Sequence, residues 1–155
     1  MNVSNWSEYD EKMLEAFVAK PEKMAWYRDL YDRCYADGFL SFKWKWSWWA
    51  FLSNGVWFLL YRKTYLAAAV FVGIALFAGY AGLGIGMFIV SGGVAPYFVL
   101  KQYIDLKALI ESKYDDEAKR IEVMRRNGGC NDWTLWVALA LNAAAIELAV
   151  YIAST

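Results

Sequence analysis

The chain has 155 residues, 59% hydrophobic and 19% aromatic, with nine tryptophans, more apolar mass than an ordinary globular domain of this length carries. Sixteen basic residues balance sixteen acidic ones, leaving no positive excess to attract a nucleic acid. Histidine is absent, and with it the commonest general base, metal ligand and activator of a serine or cysteine nucleophile. No catalytic residue, metal ligand or cofactor is expected.

Residues 1–41 form a polar, aromatic-bearing segment. Without an early apolar core or a small-residue cleavage site, no signal peptide is expected. A first helix is predicted from Ser7, an N-cap candidate with Asp10 three residues on, to Lys20. Its apolar face is Tyr9, Met13, Leu14, Phe17 and Val18. Pro21 breaks it and suits the first turn of a second helix. There Met24, Tyr27, Leu30, Tyr31 and Cys34 recur at helical spacing, and Asp37-Gly38 ends the pattern. These two stripes pack on each other or on the rest of the chain, or else dock a partner.

Residues 42–63 are dense in tryptophan. Trp44, Trp46, Trp48 and Trp49 alternate with Lys43 and Lys45, and Trp57 and Tyr61 precede Arg62-Lys63. Indole rings favour a membrane headgroup layer, and basic side chains meet anionic lipid there. The apolar part, interrupted by Ser53-Asn54-Gly55, is short for a span. It is expected to be an interfacial or re-entrant helix, with a thin true span as the alternative.

Residues 64–100 include an uncharged run from Tyr65 to Leu100, about 54 Å long as a single helix against a hydrocarbon layer of about 30 Å. A transmembrane hairpin is predicted, turning within Gly79–Gly86. Ala78, Gly82 and Gly86 also form a small-xxx-small series, and Gly92 and Gly93 are further points for close helix packing. Residues 101–132 are expected to continue as a charged cytoplasmic helix with Tyr103, Leu106, Ile110, Tyr114, Ala118, Ile121 and Met124 on one face. Asp115–Lys119, Asp116–Arg120 and Glu122–Arg126 are acid-before-base pairs at i,i+4. The adjacent carboxylates Asp115, Asp116 and Glu117 point in different directions on a helix and make a poor cation site. Asn127-Gly128-Gly129 ends that helix, and residues 133–155, capped by Asp132, form a third span entered through Trp133 and Trp136.

The expected fold is therefore an all-α membrane protein with about three transmembrane helices, a Trp-rich interfacial helix and cytoplasmic helical segments. Seven Lys/Arg lie in residues 1–45, two at 62–63 and seven in 101–132, with none in the 79–86 turn or the last four residues. One-sided basic charge puts the N-terminus in the cytoplasm and the C-terminus outside a bacterial inner membrane. Cys34 and Cys130 read as plain thiols kept reduced there. Glu147 is the one ionisable group inside a predicted span, with Asn142 five residues before it. Such a carboxylate either serves a proton or cation path, reaches the headgroups, or bonds another helix.

The run Trp46-Ser47-Trp48-Trp49-Ala50-Phe51, followed by Trp57 and Tyr61-Arg62-Lys63-Thr64-Tyr65, resembles the W-N-W-A-A-F-F-F-G-P-x-W-x-x-Y-R-K-x-Y signature of domain of unknown function 2628, a family of small bacterial inner-membrane proteins. Tyr97, Lys101, Tyr103 and Gly128-Gly129 are similar to further family features, so that the resemblance covers roughly residues 9–140. Ser47 stands where the family has Asn, Asn54-Gly55 where it has Gly-Pro, and Cys130 where Thr or Ser is common. The resemblance implies an inner-membrane protein and supplies no catalytic residue.

The function expected is a non-catalytic accessory or scaffold subunit of a larger membrane complex. Its partners would be lipids and other membrane subunits, with a homo-oligomer left open. A small oligomeric transporter using Glu147 and a phage holin-like effector are the alternatives.

Overall fold

The computed structural model describes residues 6–36 and 38–154, apart from the side chains of 36, 84, 85, 142, 145, 146 and 148–154. Helix α1 (Glu8–Val18) starts at Ser7, whose hydroxyl accepts from the Asp10 N–H at 3.1 Å, and it carries Glu8, Asp10 and Glu11 in its first turn. The hydroxyl satisfies one of the orphan donors, and the acidic residues complement the positive end of the helix. It ends at Ala19 in the left-handed region. A single 3-10 turn (Pro21–Lys23) leads into α2 (Met24–Cys34), which buries Tyr27, Leu30 and Cys34. A short hairpin follows, β1 (Tyr35–Ala36) against β2 (Phe39–Leu40), with Tyr35 opposite Leu40. The expected stop at Asp37-Gly38 lies in this turn; Asp37 is outside the described residues.

Residues 41–47, without regular secondary structure, lead to α3 (Trp48–Leu52), which is capped by Ser47 through the Ala50 N–H. The expected single Trp-rich interfacial helix is instead two short ones, α3 and α4 (Val56–Tyr61). The Ser53–Gly55 turn separates them, with Asn54 at φ +52° and Gly55 at φ +70°. A Cβ on Gly55 would lie 2.8 Å from the Phe71 ring and 2.9 Å from Ser91 Cβ. Glycine is needed there for both its backbone angle and its missing side chain.

Helix α5 (Tyr65–Tyr80) is followed by a turn with Gly82 at φ +73° and then by α6 (Gly84–Lys113). Pro96 lies inside α6 and has no N–H to offer the Gly92 carbonyl. That carbonyl accepts instead from the Ser47 N–H at 2.8 Å. The group freed by proline thus docks the 41–47 segment, as the accounting of buried backbone polar groups requires. Trp46 and Trp44 lie so close to Gly92 and Gly93 that an added Cβ would come within 2.7 Å and 2.2 Å of their rings.

The charged helix expected over residues 101–127 is broken. Helix α6 stops at Lys113, Tyr114 is extended, and α7 (Glu117–Asn127) starts anew with Asp116 accepting from the Lys119 N–H. Arg120, expected to pair with Asp116, donates to the carbonyls of Tyr114 at 2.6 Å and Glu111 at 3.4 Å. Helix α8 (Trp133–Ser154) completes the chain. The core gathers Met13, Leu14 and Phe17 of α1, Tyr27 and Leu30 of α2, Val99, Tyr103 and Ile110 of α6, and Met124 of α7.

Among the described residues, no helix is long and apolar enough to cross a membrane. This corrects the expectation of three transmembrane helices, and with it the multi-pass inner-membrane placement and orientation. The predicted third span, residues 133–155, includes residues whose side chains lie outside those described. For the predicted hairpin the reason lies in the turn at Gly82. It divides the uncharged run into α5, 16 residues or about 24 Å, and the Gly84–Leu100 part of α6, about 26 Å. Both fall short of the hydrocarbon thickness of about 30 Å. Beyond Leu100, α6 carries Lys101, Asp105, Lys107, Glu111 and Lys113.

One long-range ion pair ties the start of α1 to α6: Lys107 Nζ meets Asp10 Oδ1 at 2.5 Å, with both side chains partly buried. Burial pushes the Asp10 carboxyl up, but the hydrogen bonds from Lys107 and Ser7 outweigh it and hold the carboxyl below its ordinary value. A depressed folded value means that the pair stabilises above the ordinary carboxyl range and loses that contribution as pH falls through the lower, folded value. Asp10→Asn is therefore expected to cost about 1 kcal/mol at neutral pH. In urea melts, the difference between the two proteins should shrink towards zero near pH 2. A gap independent of pH would dismiss the pair as a source of stability.

Candidate functional site

The residues Tyr61-Arg62-Lys63-Thr64-Tyr65 occupy the corner between α4 and α5, and each of them reaches a distant part of the chain. Arg62 is 4% exposed. Its Nη1 donates to the Val18 carbonyl at 3.0 Å and lies 3.0 Å from Cys130 Sγ. Its guanidinium is stacked over the rings of Tyr27, 4.9 Å away, and Phe17, 5.6 Å away. No carboxylate pairs with it among the described residues. The compensating negative charge is the carbonyl end of α1, where unpaired C=O groups and the helix dipole favour a cation. Arg62 Nε and Nη2 are buried without a hydrogen-bond partner among the described residues.

Lys63 does for α7 what Arg62 does for α1. It adopts the left-handed conformation, φ +58°, and its Nζ donates to the Gly128 carbonyl at 2.6 Å, just past the end of α7. The Gly129 N–H in turn donates to the Phe17 carbonyl at 2.8 Å. Adjacent basic residues therefore cap the carboxyl ends of two helices and draw them onto the same corner. Thr64 Oγ1 bonds Gln102 Oε1 of α6 at 2.6 Å. The Asn131 N–H bonds the Tyr61 carbonyl at 2.8 Å, and Asn131 Nδ2 donates to the Tyr65 hydroxyl at 2.7 Å. The Tyr61 phenol is raised above its ordinary value, first by burial and next by the neighbouring Cys130. Burial likewise raises the Tyr27 phenol, against the lowering effect of Arg62.

This clasp joins α1, α4, α6 and the loop between α7 and α8. A family model described as "Protein of unknown function (DUF2628)" matches residues 10–105, from α1 through the clasp and into α6. The chain belongs to the DUF2628 family. No curated protein and no solved structure gives a match. The DUF2628 match stops short of Gly128, Cys130 and Asn131, so the clasp binds family-defining residues to a loop beyond the matched segment.

In this DUF2628 protein the residues expected to anchor at a lipid surface divide in two. Lys45, Arg62 and Lys63 turn inward: Lys45 donates to the Trp26 carbonyl at 2.7 Å and pairs with Asp29 at 2.5 Å. Trp46, Trp57 and Tyr61 are half-buried, whereas Lys43, Trp44, Trp48, Trp49, Trp133 and Trp136 are exposed. Of the expected packing series, Ala78 is buried, Gly82 makes the turn, and a Cβ on Gly86 would meet nothing within 4 Å. Close approach falls instead to Gly92 and Gly93. Glu147 is exposed on α8, and the side chain of Asn142 lies outside the described residues.

Sequence reasoning read Cys130 as a plain thiol and did not assign roles to Gln102 or Asn131, nor to the carbonyls of Phe17, Val18 and Gly128. One local signal was present. Three basic side chains, Arg62, Lys63 and Arg120, find helix-end carbonyls, a recurrent use of cations at helix carboxyl ends.

Proposed function

We infer that this protein is a non-catalytic accessory subunit that docks on another protein subunit through apolar helix surface. The observation carrying this reading is the stripe Leu66, Val70, Ile74 and Phe77 on α5, every member exposed at a spacing of four, four and three residues. A helix normally turns such a stripe into a core; large exposed apolar patches on a folded chain mark interaction sites. Leu135, Trp136 and Leu139 on α8 add exposed apolar surface. Most polar side chains of the clasp are engaged by backbone carbonyls or by each other, which supports the non-catalytic part.

The test places a photo-crosslinking residue at Leu66 of the full chain in its native cells. The reading expects one discrete crosslinked product of fixed stoichiometry. It also expects that product to disappear in the Val70→Glu, Ile74→Glu double variant. Each of these exposed replacements should alter stability by no more than about 0.5 kcal/mol, so helicity by circular dichroism stays unchanged. A chain that yields no product, or the same product after both replacements, is not docking through this stripe.

A further inference from the structure

Cys34 and Cys130 stand in opposite environments. Cys34 is fully buried and its thiol faces an acceptor, the Lys43 carbonyl. Cys130 is partly exposed and its sulfur faces a donor, Arg62 Nη1 at 3.0 Å. Arg62 distinguishes the Cys130 setting further. It is a cation almost wholly withdrawn from water, directed at the sulfur, with Nε and Nη2 lacking any acceptor among the described residues. An unsatisfied buried donor favours whatever brings it an acceptor atom.

We propose that Cys130 is an oxidative modification site, converted by a hydroperoxide to a sulfenic acid with Arg62 promoting the reaction. In that step a sulfur lone pair attacks one peroxide oxygen, the S–O bond forms and the O–O bond breaks. The departing oxygen takes up the thiol proton and leaves, from hydrogen peroxide, as water. Sulfur gives up two electrons and the peroxide gains them. As the thiol loses its proton, negative charge develops on sulfur and then on the leaving oxygen. A preorganised guanidinium 3.0 Å from the sulfur stabilises that charge as it appears. Reactive cysteines occupy such electropositive, partly exposed settings, and buried ones such as Cys34 are inert.

The experiment treats the full chain with hydrogen peroxide at neutral pH, traps sulfenic acid with dimedone, and follows each cysteine by peptide mass spectrometry in the folded and the urea-denatured protein. Folding is expected to accelerate Cys130 on the order of tenfold over the denatured chain and to protect Cys34. Exposure alone predicts the reverse for Cys130, because a half-covered thiol is slower than a free one. Arg62→Met should abolish the acceleration, and Tyr61→Phe, which keeps the cation, should retain most of it. If Arg62→Met fails to fold, the folded-to-denatured ratio in the wild type decides by itself. Cys130 reacting more slowly when folded, or at an unchanged rate in a folded Arg62→Met protein, overturns the proposal.

Discussion

Replacing Arg62 with alanine is expected to destabilise the fold by about 3 kcal/mol, read as a shift of the urea midpoint with an unchanged denaturant slope. Three losses combine. The Val18 carbonyl loses its donor, the Phe17 and Tyr27 rings lose the cation stacked over them, and a long side chain leaves a void among buried groups. Arg62→Met separates these effects. Methionine restores most of the volume and removes both the buried charge and the two unpartnered guanidinium nitrogens. Its cost should be limited to about 1 kcal/mol for the orphaned carbonyl. Buried ionic groups are often replaceable by apolar side chains of similar size, whereas truncating them is costly. If methionine proved as damaging as alanine, the charge itself, acting on the end of α1, would be the main stabilising element of the clasp.

The second large effect is expected at Gly128. A Cβ there would lie 2.7 Å from Phe17 Cα, 2.8 Å from the Phe17 carbonyl oxygen and 3.0 Å from the Met124 carbonyl oxygen. These are backbone atoms of two packed helices, so no side-chain rotation relieves the overlap. Gly128→Ala should therefore push α1 and α7 apart and cost about 3 kcal/mol, the upper part of the range for overpacking. Gly129→Ala is the internal comparison. Gly129 has φ +79°, and its added Cβ would make ordinary contacts, 3.7 Å from Ala19 Cβ and 3.8 Å from Lys63 Nζ. The expected cost is the left-handed backbone alone, about 1 kcal/mol. Equal midpoints for the two variants would mean that α1 and α7 are not in close contact at this point.

The positions of the helices were largely legible without the fold. Ser7 caps α1 and Pro21 ends the connection after it. The glycine-rich stretch around Gly82 does hold the turn between α5 and α6. These are local matters, decided by side chains within a few residues of the backbone groups they serve. The break at Tyr114–Asp116 was missed because the apolar stripe carries on across it. Asp116 was read as an ion-pair partner of Arg120, whereas it caps α7 and Arg120 serves the end of α6. The membrane hairpin was expected from the length of the uncharged run Tyr65–Leu100, but length of run is not length of helix, because the turn at Gly82 divides it.

The sequence by itself determined the family, through the Trp-rich run and Tyr61-Arg62-Lys63-Thr64-Tyr65, and most of the places where the chain turns. Only the tertiary structure decided what those five residues do. The Arg62–Val18 contact spans 44 residues and the Lys63–Gly128 contact spans 65. No periodicity or motif reports a partner at that distance. A basic side chain at a helix corner looks the same in sequence whether it faces solvent, lipid or a carbonyl. Which of these it meets is set by the packing of α1 and α7, whose exposed carbonyl ends need a cation once water has been excluded from them.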